Sequence, residues 1–327
     1  MAPEGVTLAG VAARAGVSIT TVSKVLNGRG DVASPTRRRV EDALLDAGYL
    51  RSPAEGEVIE LVLAGQFEGP AAALLVAGAL KGASRAGLRL VLTRIDDGAP
   101  EGWLEGIIRR GPAAVLLGCS ATAREIARLR MRGIPVVRVG PVAAGAGAAM
   151  VAASDRAGGA VGADHLLHLG HHRISVVADA ADADRARRRI GGARASASTR
   201  GVVIPDRWVG TPGRADVGAY IAGLLGADPR PSAVLVVSDL AGVDVLRAIS
   251  ARGLAVPGDV SLVAYDDGRL TRLALPRATV VRHPLDALGL EAVRTAVRML
   301  AQPEARPLTV ELSPTIAPGW STAAIAD

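Results

Sequence analysis

The chain has 327 residues, of which 49% are hydrophobic and only 2% aromatic, and its formal net charge is +6. That length fits two or three domains, and the apolar content excludes disorder as the main state. So few rings exclude a nucleic-acid groove built on aromatic stacking, which needs several on one surface, while the charge permits a polyanionic partner without proving one.

Cys119 is the only cysteine, so no intrachain disulfide can form and a reducing compartment is expected. No basic segment followed by an apolar stretch opens the chain, so no secretory signal is expected. The longest apolar run, near Ala71–Leu80, ends at Lys81, short of the roughly 20 residues that a membrane span needs. The expectation is a cytoplasmic protein without membrane contact. Apart from Lys24 and Lys81, the cationic side chains are arginines. With so much Ala and Gly, that skew looks like the product of a GC-rich coding sequence and weakens any functional reading of the net charge.

Residues 1–50 read as three short helices without a strand. Thr7 can cap a helix that carries Leu8, Val11, Ala12 and Ala15 on one face, and Gly16 stops it. Ser18 can cap a second, with Val22, Val25 and Leu26 inward. After a turn at Asn27–Gly30, Ser34-Pro35 starts a third with Pro35 at its first position, an apolar face of Val40, Leu44 and Leu45, and a stop at Gly48. The outward face of the second helix is Ile19, Thr20, Ser23, Lys24 and Asn27. This is a helix-turn-helix arrangement, whose second helix enters the major groove. A short polar face with one cation suits hydrogen bonds to base edges and phosphates. By pattern alone a plain helical hairpin fits as well.

Residues 51–57 read as a short linker, with Pro53, Gly56 and no apolar periodicity. From Val58 to the end, short apolar runs alternate with helical stretches. The runs are Val58–Ala64, Leu88–Thr93, Ala113–Leu117, Val136–Val139, Ile174–Ala178, Val234–Val237 and Val260–Ala264. Most are continuous, as strands buried on both faces must be. Helical candidates between them include Ala71–Ala86, Ala121–Arg132, Ala157–Leu169, Asp239–Arg252 and Leu285–Ala301. Repeated strand–helix units imply parallel sheets with right-handed crossovers. Residues 58–327 exceed one doubly wound domain, so two similar lobes are expected. Residues 143–147, Ala-Ala-Gly-Ala-Gly, read as a loop.

The run Val-Ala-Ala-Arg-Ala-Gly-Val-Ser-Ile-Thr-Thr-Val-Ser-Lys-Val-Leu-Asn (11–27), then Asp-Val-Ala-Ser-Pro-Thr-Arg (31–37) and Gly-Tyr (48–49), resembles the headpiece of the LacI/GalR family of bacterial repressors. The resemblance continues in family order through residues 155–159, 165–174, 234–239, 253–267 and 279–289. It implies an all-α helix-turn-helix headpiece joined to an α/β, two-lobed, periplasmic-binding-protein-like domain with parallel sheets. It also implies a homodimer or tetramer that binds double-stranded operator DNA as an inverted repeat and answers to a small polar, sugar-like effector. By the same resemblance Ile19, Thr20 and Lys24 occupy base-reading positions, while Thr7, Ser18, Thr21, Ser23 and Asn27 fall where phosphate contacts or caps are expected. Lys24 stands where an arginine is common and lacks its bidentate fork. Gly10 stands where the family usually has Asp. The linker departs further: relatives place a hinge helix there, whose leucine wedges into the minor groove. Eight residues separate Tyr49 from Val58, with no equivalent leucine.

For the effector the resemblance points to Arg189, in Arg-Ile-Gly-Gly, and to Asp239 and Asp266 just past two strands. Carboxylates opposite a planar donor suit a polyhydroxylated ligand. Read without the family, Arg189 is one more solvated arginine in the run 185–189, and Asp239 is a helix N-cap. His165, His168, His171 and His172 have spacings compatible with one helix face, but the segment matches an ordinary helix end in the family, so no metal is expected. No dinucleotide or phosphate-loop fingerprint follows a strand and no Ser/His/Asp constellation stands out, so neither cofactor nor enzymatic activity is expected. The competing reading is a transport-type solute-binding protein with the same lobes; the headpiece and the missing signal argue against it.

Overall fold

The computed structural model describes residues 7–26, 32–33, 35–36, 39–40, 43–44, 57–64, 69–95, 102–140, 148–178, 183–238, 242–265, 275–303 and 306–325. The expected turn at 27–30, linker residues 51–56 and the loop 143–147 lie outside them, as do Asn27, Asp239 and Asp266.

Capping builds the head. Helix α1 (Leu8–Ala15) starts at Thr7, whose Oγ1 accepts from the Gly10 amide at 3.2 Å. It stops at Gly16, whose φ of 63° is left-handed and cheap only for glycine. Helix α2 (Ile19–Leu26) follows at once, and residues 35–36, 39–40 and 43–44 are helical. Val11, Ala12, Ala15, Val22, Val25, Val40, Ala43 and Leu44 close one small core.

Strands and helices then alternate: β1 (Val58–Leu63), α3 (Gly69–Arg85), β2 (Arg89–Arg94), α4 (Trp103–Arg110), β3 (Ala114–Gly118), α5 (Ala123–Met131), β4 (Val136–Val139), β5 (Ala149–Ala153), α6 (Asp155–His168), β6 (Ile174–Val177), α7 (Ala183–Ser198), β7 (Val209–Gly210), α8 (Val217–Gly226), β8 (Ala233–Val236), α9 (Gly242–Ser250), β9 (Ser261–Tyr265), β10 (Thr279–Arg282), α10 (Leu285–Ala301), β11 (Thr309–Leu312) and β12 (Thr315–Ala317). They form two six-stranded sheets, ordered β11-β5-β4-β3-β1-β2 and β12-β10-β9-β8-β6-β7. Neighbouring strands run parallel except β10 and β12. Each sheet has apolar clusters on both faces, which is why its central strands are continuous apolar runs. Strand β2 departs from that expectation: it is a sheet edge, and Leu92 is 53% exposed.

The two lobes are not contiguous in sequence. The chain crosses between sheets three times: from β5 into α6, from β10 into α10, and from β11 to β12. Helix α10 therefore follows a strand of the second lobe yet packs on α3 in the first. Glycines permit that contact. A Cβ at Gly78 would lie 1.8 Å from the Asp286 carbonyl oxygen, and one at Gly289 would lie 2.1 Å from that of Leu75.

Candidate DNA-reading helix and effector site

Along α2, Ile19, Thr20, Ser23 and Lys24 span an arc of about 140° at ~100° per residue, opposite Val22 and Val25. Val22 and Val25 are buried, while Ile19 is 51% exposed and Thr20 exposed. Thr21, Ser23 and Lys24 are half-buried. Ser18 caps this helix: its Oγ accepts from the Thr21 amide at 3.1 Å and lies 2.8 Å from Thr21 Oγ1. Thr7 and Ser18 thus serve as caps, and both remain exposed. Gly10 has ordinary space around it, with only Thr7 Oγ1 at 3.6 Å from a built Cβ. It costs α1 about 1 kcal/mol against alanine without a packing reason for it.

In the second lobe the strand ends β6, β8, β9 and β10 point toward the crossings, and Arg189 lies among them. It is 2% exposed, so it is not a solvated member of its run. Its Nε donates to Asp155 Oδ1 at 2.9 Å, Nη1 to the Val237 carbonyl at 2.7 Å, and Nη2 to His283 Nε2 at 3.2 Å. The guanidinium carbon sits 3.9 Å from the centre of the Tyr265 ring, and Tyr265 meets His283 edge-on at 5.2 Å. Asp155 also receives Arg188, at 3.0 Å from Nη2. Since Nη2 of Arg189 must donate, His283 carries its ring proton on Nδ1.

Two Gly-Gly pairs bring these groups together. A Cβ at Gly159 would lie 1.8 Å from the Arg189 carbonyl oxygen, one at Gly192 would lie 1.9 Å from that of Arg156, and one at Gly158 would lie 1.7 Å from the Tyr265 hydroxyl. Helices α6 and α7 therefore approach backbone to backbone, which places Asp155 in the first turn of α6 against Arg189 in the second turn of α7. Of the three effector residues expected from sequence, Arg189 is in this cluster. Asp239 and Asp266 lie outside the described residues, each one position beyond a residue at the site: Ser238, buried, and Tyr265. Sequence reasoning missed the roles of Asp155, Tyr265 and His283, although all three stand in segments it had singled out.

The histidines do other work. His165 Nε2 lies 3.0 Å from Thr322 Oγ1; His171 lies 3.0 Å from Ser232 Oγ through Nδ1 and 3.1 Å from the Ala323 carbonyl through Nε2. They hold the C-terminal strap against the second lobe, and burial pushes both rings below their ordinary pKa. Among the described residues no group of three His, Cys, Asp or Glu is placed to hold a metal. Burial pushes the Cys119 thiol up to about 12, which keeps it protonated. No helix among the described residues is long and apolar enough to cross a membrane.

A capped helix-turn-helix head ahead of two parallel-sheet lobes defines a DNA-binding regulator with a binding-protein-like body. Residues 7–52 match the bacterial regulatory proteins of the lacI family, and residues 163–322 match the periplasmic binding protein-like domain. The chain is 33% identical to the transcriptional regulator MalR of Streptomyces coelicolor over 311 residues, 88% of each chain. It is 28% identical to the ribose operon repressor of Escherichia coli, over 95% of this chain and 98% of that one. Its fold is similar to that of the CelR–cellobiose complex, with a TM-score of 0.65 and 28% identity over 96% of this chain and 99% of that one. The chain belongs to the LacI family of bacterial regulatory proteins. It is a DNA-binding transcriptional regulator.

Proposed function

We propose that this regulator is an operator-specific repressor controlled by a sugar-like effector held between its lobes, with no catalytic step of its own. The division of labour follows the chain: residues 1–50 read DNA, 51–57 link, and 58–327 bind effector and dimerise. Ile19, Thr20 and Lys24 read base edges. Thr7, Ser18, Thr21, Ser23 and Asn27 anchor the helix or contact phosphates. Arg189, with Asp239 and Asp266, holds effector hydroxyls, and acts in the cytoplasm beside the chromosome.

The observation that carries the effector reading is the buried cluster of Arg189, Asp155, Tyr265 and His283 at the strand ends. An arginine so costly to bury is held by one carboxylate, one carbonyl and a ring face, at the junction where both lobes exchange chain. Its planar donor set suits a ligand rich in oxygen acceptors. The relatives point the same way, one being a ribose operon repressor and another solved with cellobiose. A homodimer on an inverted repeat is the expected form, because one headpiece offers few phosphate contacts.

The test is selection of bound sites from random DNA by the purified protein, followed by titration of a panel of mono- and disaccharides against the complex by fluorescence anisotropy. A selected inverted repeat, and one sugar that changes its affinity, is the expected result. Absence of any sequence preference would leave the solute-binding alternative standing.

A further inference from the structure

Among the described residues, each of the first lobe's four helices carries an arginine in its last turn: Arg85 in α3, Arg109 in α4, Arg130 in α5 and Arg298 in α10. Arg132 follows α5 directly. These helix ends gather at the edge where the sheet begins. Arg89 opens β2 in register with Val58, the first residue of β1. Arg132, Glu57 and Leu300 line one groove there. Arg85, Arg109, Arg130, Arg132 and Arg298 are exposed, and none forms an ion pair among the described residues. Arg110 is different, being held by buried Glu60.

Cations at helix C-termini favour the helix dipole, and this alone could place them. The second lobe shows that it does not suffice. There α7 and α8 end without a basic residue, α6 ends in histidines, and only α9 carries an arginine, Arg247, in its last turn. Three more of that lobe's arginines are neutralised: Arg200 by Asp164, Arg194 by Asp206, and Arg230 by Asp259 at 3.7 Å. Coding bias acts on both lobes alike, so it does not explain the contrast. Near the arginine-rich end the described carboxylates are buried Glu60, half-buried Glu57, and Glu105, which is paired with Arg128 and also feels Arg109; Glu55 and Glu304 lie outside the described residues. This end is also where the chain arrives from the headpiece. Eight residues separate Tyr49 from Val58, so at full extension the two are at most about 30 Å apart.

We propose that this arginine-rich end of the first lobe is a second DNA-contact surface, which grips the phosphate backbone beside the operator half-site without reading sequence. The inference rests on the repressor reading. Guanidinium groups left without carboxylates are the donors that phosphate oxygens take, and the headpiece tether holds the duplex within their reach.

The experiment uses the full chain with Arg85→Gln, Arg130→Gln and Arg132→Gln combined, measured on the selected operator across a salt series. A control carries Arg207→Gln, Arg247→Gln and Arg252→Gln on the second lobe. Each lost phosphate contact should flatten the slope of log affinity against log salt by about 0.9. The ratio of affinities at about 50 and about 200 mM salt should then shrink by about 3.5-fold per contact. Preference among operator variants should be unchanged, and the control should match wild type. Phosphate-ethylation interference on the wild type should show flanking phosphates that the triple variant no longer needs, a readout that a partly misfolded variant would not produce selectively. An unchanged slope and interference pattern, with the wild type sequence-specific, overturns this proposal alone. A wild type without sequence preference sinks the repressor reading and this one together. Loss of sequence preference in the triple variant would show that these arginines support the headpiece fold and would also overturn it.

Discussion

Lys24 and Thr20 carry the sharpest expectations at the scale of single residues. Both stand on the outward arc of α2, and neither contributes to the apolar core of the head. Replacing either with alanine should change which operator bases are preferred, by about 1–3 kcal/mol of discrimination, with little loss of helix. Competition anisotropy on single-base operator variants checks this; equal affinity for selected and random DNA in both mutants would mean another face reads the groove. Gly159 makes a different kind of claim. A methyl there must displace the backbone carbonyl of Arg189, which is not the yielding end of a side chain. Gly159→Ala should cost about 1–3 kcal/mol of stability and weaken effector binding together, read by thermal melting and by the sugar titration. A variant that melts like wild type would show that α6 and α7 can part without cost.

At the scale of elements, the linker governs how the ligand speaks to DNA. From its sequence, an eight-residue stretch with Pro53 and Gly56 is not expected to make a stable helix of its own, since isolated helices under about 12 residues are marginal even with good formers. Its only leucine, Leu50, directly follows Tyr49, so no leucine wedge is expected in the middle of the linker. Effector should therefore act through the relative placement of the two first lobes in a dimer, which sets headpiece spacing, and DNA should be bent little. A circular-permutation bending assay measures this; a sharp central kink would show that another residue acts as the wedge. The C-terminal strap is the other element with a measurable signature. Burial lowers the pKa of His171 below 6.5, an effect only partly opposed by its bond to the Ala323 carbonyl. A histidine depressed in the folded state is neutral in both states above the unfolded value, so its contribution is intact there. As pH falls below about 6.5 the unfolded chain takes the proton first, and stability drops until pH passes the folded value. His171→Gln should make the melting temperature less sensitive to acid across that window. An identical acid profile in the variant would remove His171 as the group responsible.

At the scale of the whole molecule, the first lobe presents an unpartnered apolar strip. Ala73, Leu74, Ala77 and Leu80 are exposed along α3, and Leu92 continues it on the adjoining edge strand. Leu92 shares a strand face with Leu88 and Leu90, which pack on α3. Single exposed leucines are ordinary, but a contiguous strip marks an interface. Leu80→Glu with Leu92→Glu should therefore yield a monomer by light scattering, with the fold kept, since neither side chain is buried. A dimer that survives both changes would place the contact elsewhere. In a dimer built on this strip, each first lobe would bring its arginine-rich end and its headpiece to the same duplex.

What the chain itself made legible was whatever depends on near neighbours. The caps at Thr7 and Ser18, the stop at Gly16 and the alternation of apolar runs with helices are local physics, and α10 matches its expected limits, Leu285–Ala301. Edge strands β11 and β12 and the Arg-rich helix α7 escaped notice. Edges alternate weakly in hydrophobicity, and α7 buries small residues, Ala186, Gly192, Ala193 and Ala197, instead of a leucine face. The site was half-visible for the same reason. Arg189 and Asp155 stand 34 positions apart, and nothing in either neighbourhood distinguishes them from solvated charges. Only the pairing of β8, β9 and β10 in one sheet, and the glycine contact of α6 with α7, bring Asp155, Arg189, Tyr265 and His283 together. Burial of a charge is a property of the assembled lobe, where removal of water makes a carboxylate and a ring face necessary partners, and it is that desolvation, absent from any local window of sequence, that separates Arg189 from the arginines beside it.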